Sequence, residues 1–278
     1  MAGVFKGVAL ILIVFSVTGC RISAIKTDNS LEKYFKENGV TGCFALFNNG
    51  TGKITVYNRD RYFDSTYLPA STFKIVNTLI GLQTGVISSD TMLIKWDGVK
   101  RPFESWNKDL TMTEAFRVSS VPYYQEVARR IGRDTMQFWL DSMGYAQKHG
   151  RTELKGAIDS FWLNGELKVT PDEQLGMIKM LYFKQLPFFP VHQETVKSLM
   201  LAEDKPNYRL SYKTGWGFWE PKEKRHIGWV LGWIEENNHP YFFVLNIESF
   251  KENFDMAGVR QKILKDILKH LGFFEGKM

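Results

Sequence analysis

Ser71 and Lys74, three residues apart in Pro69-Ala70-Ser71-Thr72-Phe73-Lys74-Ile75, are the sharpest chemical feature of this sequence. At i and i+3 on a helix they share one face, with Cβ atoms about 5–6 Å apart. A serine becomes a nucleophile only beside a base, and no histidine is near in sequence. Lys74 can serve if its amine is neutral. Its neighbours Phe73, Ile75 and Val76 are apolar, and burial lowers an amine's pKa. A helix start also offers main-chain N–H groups that favour a developing anion. The same residues equally fit a capping serine followed by a surface lysine one turn later.

Two other segments carry complementary chemistry. Lys213-Thr214-Gly215 sits at the end of an expected strand and runs into Trp216-Gly217. The lysine and threonine can bind an anion, and the glycine lets a substrate approach the strand closely. An edge-strand lysine before a turn is the plainer reading of that segment. Ser119-Ser120-Val121-Pro122 follows a capped helix and can be simply a polar helix-to-loop junction.

Composition narrows the chemistry further. The 278 residues carry 36 Lys+Arg against 30 Asp+Glu, with 44% hydrophobic residues, which excludes a disordered chain. A net charge of +6 without an Arg/Lys block excludes a nucleic-acid footprint. The five histidines are scattered with no ligand-pair spacing, and two cysteines make neither a zinc finger nor a disulfide scaffold. No metal is expected. Cys43, within Cys43-Phe44-Ala45-Leu46-Phe47, reads as a small buried hydrophobe.

The elements that must position these residues can be read from periodicity. A helix over 28–36 precedes strands over 42–47 and 53–57, joined at Asn48-Asn49-Gly50. From about 69 to 203 the pattern is mainly helical, with capping boxes at Thr111/Glu114 and Thr170/Glu173 and a short helix over 134–143 stopped by Gly144. Strands return over 209–213, 227–235 and 241–248, the last two joined at Asn237-Asn238. A final helix puts Ile263, Leu264, Ile267, Leu268 and Leu271 on one face. Strands at both ends of the chain therefore pair in one central antiparallel sheet flanked by helices, with the helical block inserted. The expected class is α+β.

Taken together, S-x-x-K at Ser71, S-x-V at Ser119 and K-T-G at Lys213, in that order, resemble the penicillin-recognising serine enzymes. Lys95-Trp96-Asp97-Gly98, Trp106-Asn107, Tyr124-Gln125, Asp159-Ser160-Phe161-Trp162-Leu163 and Gly228-Trp229 narrow this to a resemblance to the class D (oxacillinase-type) serine β-lactamases, over about residues 40–272. The resemblance implies a β-lactam substrate attacked by Ser71. It implies that CO2 or bicarbonate carboxylates Lys74 and that the product is the general base, with no other cofactor. Val121, where related transpeptidases carry Asn, would keep the amine neutral, and the Trp162 indole N–H would hold the carboxylated group. The main-chain N–H groups of Ser71 and Trp216 would receive the oxyanion. Ser119 would relay a proton to the leaving nitrogen, and Lys213, Thr214 and Arg260 would bind the substrate carboxylate. The family's Tyr-Gly-Asn is replaced here by Tyr145-Ala146-Gln147, which puts substrate preference in doubt at the wall where Tyr145 would touch substrate. The segment 217–226, with Phe218, Trp219 and Pro221, is expected to border the cleft.

The N-terminus reads as an export signal. Lys6 precedes an apolar run from Gly7 to Val17, too short to span a bilayer. Val17-Thr18-Gly19-Cys20 resembles a bacterial lipobox, implying removal of residues 1–19, lipidation of Cys20 and a membrane-anchored periplasmic domain over 20–278. A plain signal peptide cut near Ser23-Ala24 is the other reading. Oligomeric state is not legible. Three competing functions are a β-lactam sensor, which would follow several membrane-spanning helices, a peptidoglycan transpeptidase and a non-catalytic lipoprotein. Val121 argues against the transpeptidase, and the co-occurrence of Ser71, Lys74, Ser119 and Lys213 against the last.

Overall fold

The computed structural model describes residues 25–219 and 225–278. The expected export signal, Cys20 and Pro221 lie outside these residues. The first strand, β1 (Ile25–Thr27), leads through α1 (Glu32–Glu37) into the hairpin β2 (Thr41–Asn48) and β3 (Lys53–Tyr57). Helices α2 (Arg59–Asp64) and α3 (Lys74–Gln83) are next. Then come the short strand β4 (Leu93–Ile94), its partner β5 (Leu110–Thr111), and helices α4 (Met112–Arg117), α5 (Val121–Ile131), α6 (Arg133–Ser142), α7 (Pro171–Tyr182) and α8 (Pro190–Met200). The chain closes with β6 (Leu201–Asp204), β7 (Arg209–Trp219), β8 (Arg225–Glu236), β9 (His239–Ser249) and α9 (Met256–His270).

One seven-stranded sheet runs in the order β1-β3-β2-β9-β8-β7-β6, so the chain's two ends meet where β2 pairs with β9. The expected antiparallel sheet needs one correction. Every neighbouring pair is antiparallel except β1 and β3, which are parallel. β1 was not expected because three residues carry no periodicity. The helical insertion also ends earlier than expected, since Leu201–Asp204 joins the sheet as β6, and it contains the small β4–β5 pair.

Strand alternation separates two cores. Along β9, Phe242 and Val244 face the helical block, whereas Phe243, Leu245 and Ile247 face α1 and α9. With both faces covered, β8 and β9 are apolar almost throughout, and α9 lays Ile263, Leu264, Ile267 and Leu268 on the second face. The hairpin turns are built as their residues require. Asn237 and Asn238 take φ of 51° and 60° between β8 and β9, and Asn48 Oδ1 accepts from Gly50 N and Thr51 N after β2. Cys43 is buried in β2, and burial pushes its thiol up to about 12, so it packs as a hydrophobe.

A buried ionic clasp ties α2 to β9. Arg61 donates to Asn246 Oδ1 at 2.7 and 3.0 Å and reaches Glu248 at 3.2 Å, while its guanidinium lies 4.4 Å from the Tyr67 ring centroid. Burial alone would raise the Glu248 carboxyl, but Arg61 and Arg225 outweigh it and hold the group below its ordinary value. Tyr67 in turn exchanges both main-chain bonds with Val169 at 2.9 Å, fixing the chain two residues before Pro69. Arg61→Ala should lower unfolding free energy by about 3 kcal/mol, since it strands part of a buried ion pair. A urea midpoint equal to that of the parent protein would refute this role.

Candidate active site

Ser71 does not lie on the long helix itself. It occupies a single 3₁₀ turn, Ala70–Phe73, and Lys74 is the first residue of α3. The i, i+3 spacing still closes the pair, since side chains three apart eclipse in a 3₁₀ turn. Lys74 Nζ donates to Ser71 Oγ at 2.7 Å. Ser71 retains 8% exposure and Lys74 1%, so the hydroxyl is reachable while the amine is sealed. Burial brings the Lys74 amine from 10.5 down to about 7. With the amine neutral, the same contact lets the hydroxyl donate its proton to nitrogen.

The turn is held from three sides. Ala70, at φ 49°, donates its N–H to the Trp162 carbonyl at 3.1 Å. Thr72 Oγ1 donates to Pro69 O at 2.6 Å and accepts from Gln174 Nε2 at 2.8 Å. Phe73 stacks on Trp162, with centroids 5.4 Å apart and planes 19° from parallel. Behind Lys74, the Tyr124 ring lies 5.6 Å from its nitrogen, and the Tyr124 hydroxyl bonds Thr78 Oγ1 at 2.8 Å. Asn77 adds a bond to the Tyr124 carbonyl at 3.1 Å. These bonds join α3 to α5, the helix that Val121 opens. Val121 is partly buried.

The second serine arrives from the opposite direction. Ser119 sits at φ 54° between α4 and α5, a strained conformation for a residue with a Cβ. Trp106 Nε1 donates to the neighbouring Val118 carbonyl at 3.0 Å, and Ser120 caps α5. Lys213 Nζ donates to Ser119 Oγ at 2.9 Å, bridging the helical block to the sheet. Lys213 is fully buried, and burial together with the cations Lys74 and Arg260 pulls its pKa well below the ordinary lysine value. With Thr214 it borders a cavity of about 240 Å³ that also touches Phe116, Arg117 and Gln261.

Lys213-Thr214-Gly215 lies mid-strand rather than at a strand end, because β7 continues to Trp219. Its outer edge is nevertheless open. β6 pairs only as far as Ser211, and the nucleophile turn packs against β7 beyond that point. Gly215 serves this contact: a Cβ there would come within 3.0 Å of Thr72 Cγ2 and 3.1 Å of Pro69 O. The glycine thus admits the serine-bearing turn, a role different from the substrate approach read from sequence. Arg260 Nη1 reaches across from α9 to the Gly215 carbonyl at 2.5 Å, and burial lowers its guanidinium to about 10.

Among the described residues, Trp162 Nε1 is buried without a hydrogen-bond acceptor. A buried indole N–H is a donor only, so this atom calls for an acceptor group. The orphan N–H, the sealed amine and its pKa near 7 together fit a carboxylated Lys74. Tyr145, expected at the substrate, is buried with its ring on Phe73, and its hydroxyl meets Gln174 Oε1 at 3.4 Å. It reaches the nucleophile turn through Gln174 and Thr72. Sequence reading passed over Thr72, Gln174 and Asn77, and used Tyr124 only as a motif match; a polar residue inside an apolar helix, such as Asn77, was the one available signal.

A transpeptidase-domain family, described as penicillin binding protein transpeptidase domain, matches residues 42–269. Beta-lactamase OXA-5 of Pseudomonas aeruginosa is 34% identical over 245 residues, covering 88% of this chain and 90% of that protein. The chain belongs to the class D β-lactamase family. A solved class D β-lactamase, YbXI from Nostoc, superposes with a TM-score of 0.81 at 38% identity, covering 88% of this chain and 99% of its own. The C-terminal domain of the Bacillus licheniformis BlaR penicillin-receptor gives 0.83 at 28% identity, covering 92% and 100%. The class D fold therefore accounts for the sheet and the inserted helices.

Ala146 stands where the resemblance leads one to expect glycine, and its backbone conformation is one that suits glycine better. Ala146 keeps φ at 60°, the left-handed region that favours glycine. Gln147 meanwhile bonds Asp141 Oδ1 at 3.1 Å. Ala146→Gly should stabilise the protein by roughly 0.5–1 kcal/mol net of unfolded-state entropy, about 2 °C in Tm for this size. A Tm that is unchanged or lower in differential scanning calorimetry would count against this strain.

Proposed function

We propose that this chain hydrolyses β-lactams through an acyl-enzyme on Ser71. The observation carrying this reading is the sealed Lys74 amine 2.7 Å from a reachable serine hydroxyl, facing Ser119 and Lys213 in a class D fold. Neutral Lys74 can react with CO2, losing one proton to form an anionic carbamate, which supplies a general base. Ser71 Oγ gives up its proton as it bonds the lactam carbonyl carbon, and the C–N bond breaks on collapse. The N–H groups of Ser71 and Trp216 hold the oxyanion, each contributing roughly 3 kcal/mol. Ser119, fed by Lys213, hands a proton to the leaving nitrogen. Lys213, Thr214 and Arg260 hold the substrate carboxylate. Trp162 Nε1 and apolar Val121 suit the carboxylated form of Lys74. Water then frees Ser71 by the reverse proton transfer.

A second reading is favoured by the likeness to the penicillin receptor, which suggests acylation without turnover. A chromogenic cephalosporin separates the two. Many turnovers per protein, stimulated by added bicarbonate and falling off below about pH 7 as the Lys74 amine protonates, are expected. A single stoichiometric burst favours the receptor reading. Lys74→Ala should slow acylation and abolish deacylation, visible as a mass adduct on Ser71 that builds slowly and then persists; normal turnover by that variant would overturn the mechanism.

The same reading places the enzyme in the periplasm, anchored through lipid on Cys20, on the strength of Val17-Thr18-Gly19-Cys20. Radiolabelled palmitate should enter the protein in a bacterial host and be lost in Cys20→Ser. Absence of label from the parent protein would remove the anchor from the reading.

A further inference from the structure

One buried histidine belongs to none of the roles above. His226, at the start of β8, is 3% exposed and stands opposite Phe218 of β7. Trp216 Nε1 donates to its Nδ1 at 3.2 Å, and the two rings lie 12° from parallel with centroids 5.9 Å apart. Phe218, at 4.8 Å, and Phe254, at 6.3 Å, enclose the imidazole. An indole N–H can only donate, so Nδ1 must be unprotonated, and the ring's other bond goes to the main chain at Glu252. The Trp216 side chain is thereby pinned between a ring and an acceptor one strand away.

We propose that neutral His226 is a positioning residue that fixes Trp216 and, through it, the Trp216 main-chain N–H of the oxyanion site. This rests on the serine acyl-enzyme reading above. Once Nδ1 is protonated, two N–H groups face each other, the bond is lost, and the Trp216 side chain loses its anchor beside the main-chain N–H that must point at the developing charge. Misplacing such a donor by a fraction of an ångström is costly, because its contribution depends on preorganised geometry.

Among the described residues, the charged groups flanking the ring have partners of their own. On β8, the Arg225 guanidinium turns to Glu248 at 2.6 Å. On β9, Ser249 is the register partner, and Glu248 is also engaged by Arg61. β7 presents Trp216 and Phe218. On α9, Arg260 bonds the Gly215 carbonyl, and the preceding Asp255 caps Gly258. Burial lowers the imidazole pKa from 6.5, with the Glu252 main chain opposing. The folded protein therefore holds the neutral form at neutral pH; stability falls as pH drops below 6.5, and positioning is lost only below the still lower value of the folded imidazole.

The test compares the parent protein with His226→Asn, which keeps a neutral acceptor, and His226→Phe, which keeps a ring without one. Acylation is measured as kcat/KM for a chromogenic cephalosporin at one fixed total concentration of CO2 and bicarbonate between pH 5 and 8, so that the acid limb due to Lys74 is common to all three proteins. Both proteins should lose rate below about pH 7 as Lys74 protonates, and the parent should show a further, steeper loss at lower pH, below 6.5, that His226→Asn lacks. His226→Phe should lose about tenfold at every pH with kcat/KM falling at unchanged Tm. Independently, the Trp216 indole ¹H–¹⁵N resonance, assigned through Trp216→Phe, should shift with pH in the parent and stay fixed in His226→Asn. An identical acid limb in both proteins, an active His226→Phe or an indole resonance indifferent to pH would overturn the proposal. Failure of the parent to acylate Ser71 at all would sink the catalytic reading instead, and the indole resonance would then decide whether His226 controls Trp216.

Discussion

The contact between an amine removed from water and a serine hydroxyl is what the surrounding structure is arranged to sustain. An unpaired buried ammonium is unfavourable, and among the described residues Lys74 has no carboxylate partner. The consequence is a lysine that surrenders its proton near pH 7. Between that value and 10.5 the unfolded chain binds a proton that the folded chain does not, so stability climbs with pH across this window and is lowest below it. Lys213 and Arg260, also buried, add to the positive field. The site is thus electrostatically incomplete by itself and suited to anions: a modified lysine, a substrate carboxylate, an oxyanion.

Holding such an arrangement requires rigidity from elements with no charge to offer. Ala70 and Ser119 are both in left-handed conformations, each locally unfavourable by about 1–3 kcal/mol. Each is fastened by long-range bonds, Ala70 to the Trp162 loop and Ser119 to Lys213 of the sheet. The strained residues lie next to, or are, the two serines of the candidate site, and the fastening comes from different layers of the fold. Helical insertion and sheet therefore share one catalytic geometry, and neither layer could be loosened without releasing it.

Much of this could be read from the sequence and some could not. Ser71 with Lys74, the hairpins at Asn48 and Asn237, both capping boxes and the closing helix obey short-range rules, and they stand as expected. The sheet's pairing of its two ends came from strand placement alone. Positive φ at Ala70, Ser119 and Ala146 was invisible because none is glycine, and only tertiary bonds force it. Tyr145 shows the other limit. A motif assigns it to the site's wall, whereas its surroundings turn it inward toward Gln174, a partner 29 residues away. Gly215 was noticed for the right property and given a different neighbour.

The open edge of β7 has a meaning beyond substrate access. β6 covers only its first residues. Past Ser211 no strand among the described residues pairs with this edge, the feature that invites another strand, from a neighbour or a nascent chain, to add itself. The turn bearing Ser71 lies against that edge. Chemistry and protection against aggregation are consequently vested in one short turn, and any change that loosens it exposes a template for misassembly as well as silencing a nucleophile. Tolerance to substitution from Pro69 to Phe73 should therefore be narrower than catalysis alone demands.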